Sequence, residues 1–171
     1  MEKRVEKKAL KDLPLQEITL RKYEEPKGLS QRELAKKFLL SIGLLNPGES
    51  RDIIVDIFVL LLNARKAKKI LKIEDFAQNL STIKGASKPN LRRQLRRLKM
   101  YKLVEKVPEG YRITEFGTIE QIISNYIKEY LIKPAIERIE QYAVLLDREI
   151  FDKEIFDLTK ENQNQQKNNQ T

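Results

Sequence analysis

Residues Leu91 to Gly117 read L-R-R-Q-L-R-R-L-K-M-Y-K-L-V-E-K-V-P-E-G-Y-R-I-T-E-F-G, and the apolar period changes half-way along. In the first half Leu91, Leu95 and Leu98 recur at i, i+4 and i+7, the spacing of one helix face. Ser87 stands in front as an N-cap, and Pro89 falls in the first turn, where a missing N–H costs nothing. In the second half two strand-like runs, Leu103 to Val107 and Tyr111 to Thr114, flank Pro108-Glu109-Gly110, a hairpin signal. The stretch predicts a helix running straight into a β-hairpin.

The chemistry of that helix follows from its angles. At about 100° per residue the three leucines cluster within roughly 60° and face a core. Arg93, Arg96, Arg97 and Met100 then point away from it, with Arg92 and Lys99 on one flank and Asn90 and Gln94 on the other. No Asp or Glu occurs between Lys84 and Tyr101, so these cations have no i,i+4 partner on their own helix. A merely solvated face is the plainer reading; an anion waiting outside relieves the repulsion and is the favoured one. Outward arginines suit guanine edges, and Asn or Gln suits adenine. Asn90, Arg93, Gln94, Arg96 and Arg97 are therefore the candidate base-contacting residues. Lys84, Ser87, Lys88, Arg92 and Lys99 are the candidate phosphate contacts, with Lys106 and Arg112 of the hairpin as lesser ones.

Upstream, Ser30-x-x-Glu33 is a capping box, with Leu29 and Leu34 at staple spacing around it. Leu34, Phe38 and Leu39 carry the stripe of this first helix, and Gly43 with Asn46-Pro47-Gly48 ends it. Ser50 is the expected cap of a second helix, apolar nearly all round from Ile53 to Leu62 and so buried, with a basic exit at Arg65, Lys66, Lys68 and Lys69. A brief helix at Glu74 to Asn79 and a linker at Ser81 to Ala86 follow. Leu13 to Tyr23 alternates loosely and fits either a short strand or an extended arm.

The order helix, short helix, linker, helix, hairpin, together with Leu98, Leu103, Val104, Tyr111, Arg112, Thr114 and Gly117, resembles the recognition-helix-plus-wing block of winged helix-turn-helix regulators of the MarR, PadR and ArsR sort. In those families a Leu-x-x-x-Gly-Leu-Val step precedes a wing that closes with Tyr-Arg-Leu-Thr-x-x-Gly. The family's glycine is Lys102 here, so keeping the turn demands a left-handed lysine at a cost of about 1 kcal/mol. The resemblance spans Ser50 to Gly117 and implies a mainly α fold with a small β-hairpin wing. A second helix-turn-helix at Ser30 to Leu45 fails, because the glycine expected four residues after Ala35 is Leu39.

Beyond the hairpin, Thr118 to about Ile150 is a long amphipathic stretch that Pro134 must kink or split. Its stripe, including Ile119, Ile122, Ile123, Tyr126, Ile127, Tyr130, Ile136, Ile139 and Leu146, is the candidate dimer interface, since a helix after the wing often pairs with its symmetry mate in such regulators. Folding back onto its own domain is the alternative. Tyr126, Tyr130 and Tyr142 fit core positions better than a ligand pocket, so an effector has no support. Residues 158–171, Asn/Gln-rich at the end, are expected to be disordered. The expected organisation is thus an arm and helix over 1–49, a winged domain over 50–117, a dimerisation region over 118–157 and the tail.

Composition narrows the function. The 171 residues contain no Cys, His or Trp, which removes disulfides, zinc fingers and imidazole or thiol catalysis. No phosphate-binding G-x-x-x-x-G-K-[ST] or G-x-G-x-x-G occurs, so neither catalysis nor a cofactor or metal is expected. The N-terminus lacks an apolar signal region and the run Ile53 to Leu62 is too short to span a bilayer, so a cytoplasmic, nucleoid-associated protein without membrane contact is expected. A formal charge of +9 points to a polyanion. Lys84 to Lys106 holds nine Lys+Arg and one Glu, whereas Glu115 to Asp157 holds ten acids and five bases. The reading that unites these features is a homodimeric transcription regulator that inserts an Arg-rich helix into the major groove of double-stranded DNA. A winged-helix module for non-specific DNA or RNA binding, chromosome organisation or protein assembly is the alternative.

Overall fold

The computed structural model describes residues 12–49 and 52–168 and is mainly helical, with one small antiparallel hairpin. It divides into two compact units, Met1–Leu131 and Ile132–Thr171. In the first unit an extended arm leads into α1 (Gln31–Ser41), followed by α2 (Ile53–Lys66), α3 (Ile73–Asn79), α4 (Lys88–Met100), β1 (Val104–Val107) and β2 (Gly110–Ile113). A 3-10 turn (Thr114–Phe116), α5 (Ile119–Ile122) and a wider π-type helix (Ile123–Ile132) follow, and α6 (Lys133–Asn168) makes up the second unit.

Local chemistry sets most of these boundaries. At α1 the Ser30 N–H donates to the Glu33 carboxylate at 2.8 Å, completing the expected capping box. At α3 the Asp75 carboxylate accepts from the Lys72 N–H at 2.7 Å. Asp52 precedes α2 without a side-chain cap bond, and the expected cap, Ser50, lies outside the described residues. After α4 the chain turns through Lys102 at φ 57°, the left-handed lysine that the sequence demanded.

Helix α2 is the centre of the first unit. Ile53, Ile54, Val55, Ile57, Phe58 and Leu61 are all buried, and the helix packs against α1, α4 and β2. Phe38 of α1 stacks on Phe58 with ring centroids 5.8 Å apart. The buried face of α1 is Ala35, Leu39 and Leu40; Leu34, expected in the stripe, is 42% exposed because the helix turns its staple residue toward solvent.

Strands β1 and β2 pair with Val104 opposite Ile113 and Val107 opposite Gly110, leaving only Pro108 and Glu109 as the turn. Leu71 adds one more antiparallel bridge, exchanging 2.9 and 2.8 Å bonds with Tyr111. Gly110 makes this approach possible. At φ +154° a Cβ there would lie 2.8 Å from the Leu71 carbonyl carbon. Phe76 of α3 meets the Tyr111 ring edge-on at 6.2 Å, tying α3 to the same corner.

The C-terminal stretch departs from expectation in three ways. Ile122 and Ile127 are 2% and 1% exposed inside the first unit, so they are core residues and not an interface. The unit boundary accordingly falls at Leu131, beyond the hairpin, and the residues between them cover the first unit's own core. The Asn/Gln-rich residues continue α6 to Asn168, because adding a residue to an existing helix costs far less than starting one. Pro134 sits in the first turn of α6, just after the π-type segment. Having no N–H, it donates nothing to the Tyr130 carbonyl four residues back, and Gln16 of the arm donates to that oxygen at 3.1 Å.

Candidate nucleic-acid interface

Helix α4 lies with Leu91, Leu95 and Leu98 fully buried, against α2, α3 and β1. That fixes its opposite side in solvent. Arg92, Arg93, Arg96, Lys99 and Met100 are exposed there, and Lys84, Ser87 and Lys88 are exposed at its approach. Lys88 is not without an acid: it pairs with Glu74 of α3 at 3.1 Å, a partner from another helix that i,i+4 counting could not find. The Glu74 carboxyl is held below its ordinary value by a hydrogen bond from its own backbone N–H, then by Lys88.

Two candidate base-contacting residues, Gln94 from the flank and Arg97 from the outward face, are drawn inward instead. Gln94 is 3% exposed, and Arg97 is half-buried. They belong to a polar ladder along one flank of α4. Asn90 donates to the Gly85 carbonyl at 2.8 Å, and Gln94 donates to Asn90 Oδ1 at 3.1 Å. Arg97 in turn donates to Gln94 Oε1 at 2.8 Å and, with its other terminal nitrogen, to the Leu44 carbonyl. A buried amide requires such partners. Both Gln94 heteroatoms are engaged within the helix, so adenine recognition by Gln94 does not fit this arrangement. Asn90 is tied down at both its nitrogen and its oxygen.

The ladder ends on a loop that sequence reading treated only as a helix stop. Arg97 holds Leu44, while Arg21 of the arm donates to the Leu40 and Leu45 carbonyls at 2.8 and 3.1 Å and to Asn46 Oδ1 at 3.3 Å. The arm itself is extended and forms no strand. Residues Asn46 to Glu49 stand beside α4 across two clefts of about 500 and 640 Å³, with Arg93 lining both. Nothing in the sequence signalled this neighbour, since its partners lie far away along the chain.

The hairpin offers little cation. Arg112 is bound to the Glu105 carboxylate at 2.7 Å and lies over the Phe116 ring at 4.7 Å, so the structure uses it to close the hairpin rather than leaving it outside. The Glu115 N–H adds a 2.9 Å bond to the same carboxylate. Lys106 is exposed. Among the described residues no group of acids could hold a metal ion, and no helix is long and apolar enough to cross a membrane. Comparison with family models, with curated proteins and with solved structures gives no match to this chain.

Proposed function

We propose that this chain is a winged helix-turn-helix protein that binds double-stranded DNA through α4, pairs with a second copy through its C-terminal helix, and acts as a transcription regulator at the nucleoid. The carrying observation is the exposed side of α4. Arg92, Arg93, Arg96 and Lys99 share it, with no acid on the helix and with the opposite side locked into the core. The Leu71 bridge supports the fold reading, since it ties the segment ahead of α3 to the hairpin that follows α4. Arg93 and Arg96 are the remaining base readers, and Arg92, Lys99 and Lys84 meet phosphates. The short, self-paired hairpin contributes Lys106 at most.

The test is duplex binding across a salt series. Arg93→Ala/Arg96→Ala should weaken binding roughly 100-fold at low salt, at about 1–3 kcal/mol for each lost bidentate contact. Wild-type affinity in that double variant at every salt concentration would overturn the assignment. A second reading has its own observation. With Gln94 and Asn90 engaged internally, only arginines are left to read bases, which favours an architectural protein of weak sequence preference. Equal affinity for random duplexes and for sequences selected from a random pool would decide for it.

A further inference from the structure

Helix α6 carries large apolar side chains with no cover: Ile139, Tyr142 and Leu146 are each 62% exposed, Ile150 is 58% and Ile136 is 48%. Ile136, Ile139, Ala143, Leu146 and Ile150 alternate by three and four residues, which is the a/d spacing of a two-stranded coiled coil.

We infer that the cover is a second copy of α6, and that the two helices run antiparallel about a two-fold axis near Gln141. Two features of the chain point to this arrangement. The first is volume. A parallel pair stacks Ala143 on Ala143 of the second copy and leaves a hollow layer between larger ones. The antiparallel pair sets each Ala143 against Ile139 of the second copy, and Ile136 against Leu146, so that small always meets large. The second is charge. Lys133, Glu140 and Asp147 lie seven residues apart on one edge of the seam. Edge positions of this kind meet their own kind in an antiparallel pair, so Lys133 comes opposite Asp147 of the second copy at both ends, against one Glu140–Glu140 approach in the middle. In a parallel pair Asp147 comes opposite Tyr142 and Glu140 opposite Ala135, and the charges gain no partner.

This register rests on the pairing proposed above, but not on DNA contact by α4, and its failure is separable from both. The chain contains no cysteine, so single introduced thiols report alone. Ile139→Cys and Ala143→Cys are made separately, checked for native helix content by circular dichroism, and oxidised mildly alone and as an equimolar mixture. The expected result is a disulfide-linked dimer from the mixture in at least tenfold excess over either variant by itself. Self-linking of Ile139→Cys alone would establish a parallel pair and overturn the register. Sedimentation of the unmodified chain as a monomer at all concentrations up to 100-fold above those of the DNA titration would overturn the pairing itself, and leaves duplex binding by α4 to be judged on its own variants.

Discussion

Helices α4 and α6 are both amphipathic, yet they are unsatisfied on opposite sides. In α4 the leucines are fully spent inside the first unit, and what is left outside is positive charge, opposed only near the helix start by Glu74 of α3. In α6 the charges are mixed, and what is left outside is apolar. The lesson is that amphipathicity alone names no function. The side that the fold leaves over does: a charged remainder calls for an anion, and an apolar remainder calls for another apolar surface.

The comparison breaks most easily at the leucines. Leu95→Ala should cost about 2–5 kcal/mol of unfolding free energy, because it opens a cavity at a fully buried position. Leu146→Ala, measured at concentrations where copies are separate, should change stability by less than about 0.5 kcal/mol. Equal losses in denaturant titrations would mean that the two helices are not different in the way described. A finer contrast lies within α4 itself. Arg97→Ala leaves the Leu44 carbonyl and Gln94 short of a partner and should destabilise the chain by about 1–3 kcal/mol, whereas Arg96→Ala should lower DNA affinity and leave the thermal midpoint alone.

Smaller effects lie at the end of α4 and at the start of α2. Lys102→Gly relieves the left-handed lysine and should raise stability by up to about 1 kcal/mol in the same titration. The smallest effect is acid-dependent. Burial acts to raise the pKa of the Asp52 carboxyl, but hydrogen bonds from Lys36 and Arg32 overcome it and hold the group below its ordinary value. Its contribution is therefore complete above the unfolded-state pKa and is lost as pH falls through the lower folded value. Asp52→Asn should flatten that acid limb by less than about 1 kcal/mol, as expected for a partly solvated ion pair.

Legibility in the sequence followed the range of the forces involved. The α1 capping box, the α4 leucine face, the hairpin after it and the left-handed Lys102 are all readable, since each depends on neighbours within a few positions; the hairpin turn is one residue shorter than expected, because Gly110 pairs with Val107. Arg97, expected outward, turns inward because the group that draws it, the Leu44 carbonyl, lies 53 residues away in sequence, and Gln94, expected on a flank, is buried between Asn90 and that inturned Arg97. Ile122 and Ile127 share their period with Ile136 and Ile139, but the first pair is buried and the second exposed. Period says that a face will be covered, and is silent about what covers it.

The bond from Gln16 to the Tyr130 carbonyl has a consequence in the order of synthesis. The two residues are 114 positions apart, and the arm is made long before its partner. While the ribosome is still adding the hairpin, Arg21 can seat the arm on the end of α1, but Gln16 has nothing to hold. The first part of the described chain to emerge is thus among the last to be fastened, when Tyr130 and the proline behind it have cleared the exit tunnel.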